Sequence, residues 1–357
     1  MQKTVSLHEA KLYEKLEEKK VKCTACKWYC TIPEGKTGLC SIRGNKDGKL
    51  YLLVYGKAAA VHIDPIEKKP LFHFMPGTDI LSIGTYGCNF GCEFCQNWEI
   101  SQTTKHEKMK DMSNQFSNVI SMINNGSHDL PPKEVVELCE RHRIKSIAFT
   151  YNEPSIWSEY AHDIMKEAKK KGIKGIYVSS GYETKEVMDY MRGFIDAINI
   201  DLKAFSEETY RKVCKTRLSC VLDTIKEVSG KGIWIEITTL IIPTLNDSDE
   251  ELEGIAKFIA SVDKSIPWHV TSFHPDYKMR DKPNTPPKTL MRAHDIGKKM
   301  GLKYVYTGNI PGLKYENTYC PACKETIIMR HGMSVTENRL KEGKCPLCKE
   351  RIEGEWG

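Results

Sequence analysis

Residues 80–95 read ILSIGTYGCNFGCEFC. An apolar, β-rich run (80–87) ends in small turn-forming residues. Cys88, Cys92 and Cys95 follow at once, with three residues and then two between them. Soft thiolates suit iron–sulfur chemistry, and three of them can hold three corners of a [4Fe–4S] cluster. The fourth iron then stays open to an exogenous ligand, whereas a structural zinc site closes all four positions. The plainer alternatives are a three-Cys zinc site completed by a distant His, or cysteines buried as packing.

Outward from this motif the chain alternates strand and helix. Further β-rich runs are 145–150, 175–180, 196–202, 233–242, 268–273 and 303–308, separated by amphipathic stretches such as WSEYAHDIMKEAKKKG and DEELEGIAKFIASV. Alternation at this spacing predicts right-handed βαβ units, a parallel sheet and an α/β fold. About six units suggest a partial (β/α)6 TIM-type barrel, whose chemistry sits at the C-terminal ends of the strands. Residues 102–130 are polar and rich in Asn and Ser, and read as a surface insertion or loop.

The 357 residues carry 53 basic and 47 acidic side chains, a formal charge of +6. That surplus gives no footprint of a nucleic-acid binder. Hydrophobic residues at 40% and charged residues at 28% describe a globular protein. No stretch approaches the roughly 18 uninterrupted apolar residues of a membrane span. The first 22 residues lack the apolar core of a signal peptide, and Leu7, Leu12 and Leu16 suggest a short amphipathic helix. The expected location is cytoplasmic, where grouped cysteines bind metal or do redox chemistry more often than they form disulfides.

Eleven of the 14 cysteines fall into three groups. Besides the central three, Cys320, Cys323, Cys345 and Cys348 form two CxxC knuckles, the pattern of a tetrahedral zinc ribbon, with a rubredoxin-like iron as runner-up. Cys23, Cys26, Cys30 and Cys40 are spaced less regularly, and fit either zinc or an auxiliary iron–sulfur cluster that relays electrons. Cys139, Cys214 and Cys220 read as packing residues. Lys68 and Lys69, in DPIEKKP, read as a solvated turn between prolines, with a phosphate or acidic-partner role as the sharper alternative.

The CxxxCxxC motif after a first barrel strand resembles the radical S-adenosylmethionine (radical SAM) superfamily. Thr150-Tyr151-Asn152-Glu153-Pro154 stands where that family carries a Gly-Gly-Glu-type motif, with both glycines replaced here. The resemblance implies that Glu153, next to Asn152, receives the methionyl ammonium; the alternative is an ordinary acid at a helix N-terminus. It also implies that Ser179, in the turn Ser179-Ser180-Gly181-Tyr182, lies against the nucleoside. Asp201 and Lys203 would order the methionyl carboxylate and substrate, and His274 the ribose. Singly these are weak, since Asp201 and Lys203 also suit a rim ion pair.

Most of the chain is similar, more narrowly, to the radical SAM enzyme of the AmmeMemoRadiSam system, a relative of pyruvate formate-lyase-activating enzymes. The stretches that carry this are the N-terminal Cys quartet with IPEGKTGLCSIR, DPIEKKPLFHFMPG, TYGCNFGCEFCQNWEIS, TYNEPSIW, NIDLKAF, EITTLIIPTLNDS, HVTSFHPDYKM, YVYTGNIPG and the terminal knuckles. The implied organisation is an N-terminal helix and four-Cys segment (1–79), a core barrel (80–312, with the 102–130 insertion) and a C-terminal metal ribbon (313–357). The implied cofactors are a [4Fe–4S] cluster and S-adenosylmethionine, with zinc in the flanking sites. The implied partners are an external one-electron donor of flavodoxin or ferredoxin type and a protein substrate: Memo-like, AMMECR-type or a glycyl radical enzyme. No nucleic acid or membrane is expected. Three functions remain: radical chemistry of the AmmeMemoRadiSam kind, activation of a glycyl radical enzyme, and a non-catalytic metal-ribbon binding protein.

Overall fold

The computed structural model describes residues 7–110, 113–310 and 314–356. Its contacts divide the chain into two compact units, 1–63 with 81–91 and 96–195, and 64–80 with 92–95 and 196–357.

In the first unit Ile147, Ala148 and Phe149 pair in parallel with Leu81, Ser82 and Ile83 on one side. The strand Ser146–Phe149 pairs in parallel with Lys174–Ser179 on the other. Every residue of Ser146–Phe149 is buried, as a parallel strand covered on both faces requires. The helices Pro132–His142 and Ser158–Ala168 lie between these strands in the chain. The first starts with Pro in its first turn and ends at Arg143 in the left-handed conformation, so both ends are defined locally.

The N-terminal helix expected from Leu7, Leu12 and Leu16 does not form among the described residues. Strands His8–Glu9, Tyr13–Lys15 and Val21–Cys23 stand there instead. Tertiary contacts override the helical spacing. The Lys11 and Leu12 amides both donate to Glu159 Oε1, each at 3.1 Å, and Leu12 is buried while Leu16 is exposed. Arg43 grips the same carboxylate at 2.6 and 2.7 Å, with both partners 1% exposed.

The 102–130 stretch is likewise not a loop. It holds helices Thr103–Lys110 and Gln115–Gly126 and the strand His128–Asp129, which pairs with Lys57–Ala58; residues 111–112 lie outside the described ones. Val119 and Ile123, one helical turn apart, are fully buried inside an otherwise polar sequence. That short apolar stripe supplies the packing face.

The second unit carries four consecutive parallel strands, Ala197–Asp201, Trp234–Ile241, Trp268–Ser272 and Val305–Gly308. Helices Leu218–Ser229, Asp249–Val262 and Pro287–Lys299 alternate with them along the chain. The Ser248 side chain caps the second helix at the Glu251 amide, and acids at 249–251 favour its N-terminus. A three-stranded antiparallel sheet, Thr318–Tyr319, Thr326–His331 and Ser334–Asn338, forms the C-terminal segment.

A buried carboxylate fixes the DPIEKKPLFHF stretch in this unit. Glu236 accepts from the Phe72 and His73 amides, from Trp234 Nε1 and, at 2.6 Å, from His269 Nε2. The solvated turn expected at Lys68 and Lys69 holds for Lys68 alone. Lys69 is 2% exposed and its ammonium pairs with Asp64 at 2.7 Å, because the chain folds back over it. No helix among the described residues is long and apolar enough to cross a membrane.

Candidate functional site

Cys88 follows a turn that is held from three sides within the first unit. Asn152 Nδ2 donates to Gly87 O at 2.8 Å, Thr85 Oγ1 at 3.0 Å and Tyr86 O at 3.3 Å. Its Oδ1 accepts from the Thr85 amide. Gly87 has φ +86° and lies so close to Cys40 that a Cβ would stand 2.6 Å from the Cys40 carbonyl oxygen. Glycine is required there for both reasons. On the other side of Cys88, Trp28 Nε1 donates to Asn89 O at 3.0 Å. Gln102 Nε2 donates to Phe90 O, which also accepts from Lys105, so helix residues beyond the motif close the turn. Cys88 and Cys92 are buried and Cys95 is half-buried.

Glu153 lies next to Asn152 and is 1% exposed. Its carboxylate accepts from Ser179 Oγ (2.8 Å), the Ser180 amide (2.8 Å) and the Ser155 amide (3.2 Å). Burial pushes its pKa up against these donors. Ser179 therefore serves Glu153 directly, and its Oγ also accepts from the Gly181 amide. A second acid, Glu183, is completely buried, with the Ser179 hydroxyl and the Lys27 ammonium among the groups that act on it. Burial first, and then the nearby Glu153, raise its pKa to about 8. Two buried carboxyls this close favour positive charge beside them, and Lys27 already acts on Glu183. Glu183 escaped sequence reading because it reads as a helix-start acid beside the N-cap Thr184.

In the second unit Asp201 and Lys203 form an ion pair at 2.8 Å. The backbone between them is pinned by Thr239 Oγ1 on Leu202 O, Asn246 Nδ2 on Lys203 O, and the Lys203 amide on the Tyr210 hydroxyl oxygen. Burial alone would lower the Lys203 ammonium, but Asp201, Cys92 and Cys214 outweigh it and hold the pKa well above the usual value. The pair thus lies within electrostatic reach of Cys92. Cys214, read from sequence as packing, is buried in the turn Tyr210–Cys214, whose Val213 carbonyl accepts from the Glu93 amide. Tyr210, Thr239 and Asn246 carry no sequence signal, since each is brought in from a separate segment. His274 is exposed, after a buried Phe273 whose amide donates to Thr285 Oγ1. Cys139 is buried within its helix, as expected of a packing residue.

The Sγ atoms of Cys320, Cys323, Cys345 and Cys348 lie within 4.8 Å of one another, with Cys320–Cys348 at 3.5 Å and Cys323–Cys345 at 3.7 Å. Four thiolates around one ion with metal–sulfur bonds of about 2.3 Å stand about 3.8 Å apart, so these residues fit a single tetrahedral metal. The two knuckles repeat the same backbone. Lys324 and Lys349 are both left-handed, and their amides donate to Cys320 O and Cys345 O. At the other end of the chain the Cys23 amide donates to Cys30 O, and Cys26 lies within electrostatic reach of Cys23, Cys30 and Cys40.

Comparison with known proteins adds a family to this geometry. The family model described as the Radical SAM superfamily matches residues 82–259. An uncharacterized protein of Methanocaldococcus jannaschii is 39% identical over 350 residues, 97% of this chain and 99% of that protein. The pyruvate formate-lyase-activating enzyme of Clostridium pasteurianum is 24% identical over 212 residues, 55% of this chain and 80% of that enzyme. Among solved structures, a radical SAM methyltransferase from Sphaerobacter thermophilus aligns with a TM-score of 0.48 at 13% identity, over 66% of this chain and 68% of that one.

Proposed function

Because the chain belongs to the radical SAM superfamily, we propose that Cys88, Cys92 and Cys95 hold a [4Fe–4S] cluster with one open iron and that Glu153 receives the ammonium of S-adenosylmethionine. When bound, these groups supply reductive cleavage of the sulfonium to methionine and a 5′-deoxyadenosyl radical for hydrogen abstraction. The observation that carries the reading is the buried Glu153–Glu183 pair of carboxyls, beside the loop that holds the Cys88 turn. A cationic amine is the ligand that would relieve it.

The chain's own residues bind and orient. Asn152 fixes the Cys88 turn and leaves Glu153, its neighbour, facing Ser179 and Ser180. Asp201 and Lys203 together are assigned to ordering the site near the methionyl carboxylate and substrate, and His274 to the ribose. A partial (β/α)6 barrel would set these strand ends around one cavity. Zinc is assigned to the C-terminal four cysteines. The cytoplasm, an external flavodoxin- or ferredoxin-type reductant and a protein substrate complete the reading.

Substrate choice separates two versions. AmmeMemoRadiSam-type chemistry is favoured by the two extra cysteine groups flanking the core. Glycyl radical enzyme activation is favoured by the similarity to an activating enzyme. Anaerobic incubation with S-adenosylmethionine, reductant and a candidate glycyl radical enzyme tests them: a glycine-centred doublet in spin resonance supports activation, and its absence across candidates supports the first version. Glu153→Gln should weaken S-adenosylmethionine binding with the cluster intact; unchanged binding would remove Glu153 from its role.

A further inference from the structure

We propose that Cys23, Cys26, Cys30 and Cys40 hold a second iron–sulfur cluster, placed to hand single electrons to the site at Cys88. The inference rests on the reading of Cys88, Cys92 and Cys95 as a cluster site, and deepens it by naming where the electron comes from.

The four thiols share one largely buried place, with Cys23, Cys26 and Cys40 each about 5% exposed. The Cys23–Cys30 backbone bond and the approach of Gly38 to Cys30 Cβ close the loop between them. They differ from the C-terminal four in spread. The C-terminal sulfurs converge to contact distance, as one metal ion demands. The N-terminal sulfurs are not drawn together in this way, although Cys26 lies within electrostatic reach of its three partners. A cubane binds each thiolate to a different iron and so holds its ligands farther apart than a single ion does.

The surroundings fit a negatively charged redox group. Lys108 is anchored on Gly38 O at 2.9 Å and Thr37 O at 3.4 Å, and its half-buried ammonium faces Cys40 and Cys30. Position decides between zinc and iron. The Cys40 carbonyl touches Gly87, one residue before Cys88, and Trp28, two residues after Cys26, bonds Asn89, one residue after it. The quartet therefore grips the Cys88 turn from both sides. Zinc has no redox chemistry to offer there. One electron would enter from an external flavodoxin or ferredoxin, lower the charge of the N-terminal cluster by one, and leave it for the cluster at Cys88. No bond forms or breaks and no proton moves.

Metal counts and spin resonance on the anaerobically reconstituted full chain test this. Wild type should hold about eight irons, as two cubanes require, with zinc confined to the C-terminal four. Cys26→Ala should lose half of the iron and keep the reduced signal that S-adenosylmethionine perturbs. Cys92→Ala should lose the other half and keep a signal indifferent to S-adenosylmethionine, which decides the matter even if Cys26→Ala does not fold. A wild type with about four irons, or a Cys92→Ala protein with none, would overturn the proposal. If the Cys88 reading fails instead, iron survives in Cys92→Ala unchanged and disappears in Cys26→Ala.

Discussion

The side-chain amide of Asn152 donates to the carbonyl of Gly87 at 2.8 Å, so the loop carrying Glu153 also holds the turn that presents Cys88. One side chain thereby couples the two halves of the proposed cofactor site within the first unit. Asn152→Ala removes the donor from three acceptors, two of them buried, a loss of about 1–3 kcal/mol for unsatisfied buried groups. The expected outcome is a lower denaturation midpoint and faster loss of iron from the central site. Thermal unfolding and timed chelation of the reconstituted protein check both.

Gly87→Ala tests the close approach to Cys40. The new Cβ would stand 2.5 Å from Ile42 Cγ2 and 2.6 Å from the Cys40 carbonyl, at a φ that disfavours side chains. A cost of about 1–3 kcal/mol is expected from overpacking alone. Iron content should fall, because the backbone must shift at both neighbouring Cys sites. Wild-type stability and iron content in Gly87→Ala would show that the approach is dispensable.

The salt link of Arg43 to Glu159 makes a prediction in pH. Burial by itself would raise the Glu159 carboxyl, but Arg43 and the Leu12 amide outweigh it and hold the pKa at about 2. A carboxyl depressed in the folded state stabilises fully above its unfolded value near 4.5, and that stabilisation is lost as pH falls toward 2. Denaturation midpoints measured between pH 6 and 2 should show the loss in wild type. Arg43→Met strands the carboxylate and should cost about 3–5 kcal/mol at neutral pH, with a flatter acid limb.

His73 titrates in a second window. Burial lowers its pKa to about 4, and its ring links the Glu353 carbonyl to the Tyr306 hydroxyl at 2.6 and 2.5 Å. A carbonyl can only accept, so Nδ1 carries the proton and Nε2 accepts from Tyr306. His73 is then neutral when folded, and the segment it ties should weaken as pH drops from about 6.5, the unfolded value, toward 4. Nitrogen-15 shifts of His73 should show the Nδ1–H tautomer at pH 7; a protonated ring at pH 6 would contradict this.

Legibility followed sequence distance. Six of the seven β-rich runs read from the sequence coincide with strands to within about a residue or two, because parallel strands buried on both faces are continuous apolar runs. The seventh, beginning at Ile80, also starts true but gives way at Thr85 to the turn before Cys88. The Cys motifs were legible because metal ligands cluster locally along the chain. What stayed hidden depends on residues far apart in sequence. The link between the strands His8–Glu9 and Tyr13–Lys15 is held by Glu159, nearly 150 residues away, which takes the Lys11 and Leu12 amides. Lys108 gains meaning from two cysteines that precede it by about 70 residues. Glu183 looks like a cap acid until its burial beside Glu153 is seen in space.

The chain is proposed to cleave S-adenosylmethionine at a cluster held by Cys88, Cys92 and Cys95. The direct measurement is 5′-deoxyadenosine, quantified by chromatography after anaerobic reconstitution with iron and sulfide and addition of dithionite and S-adenosylmethionine. Wild type should form it together with methionine, and Cys92→Ala should form none. No product from wild type carrying a full complement of iron, or undiminished product from Cys92→Ala, would contradict the account.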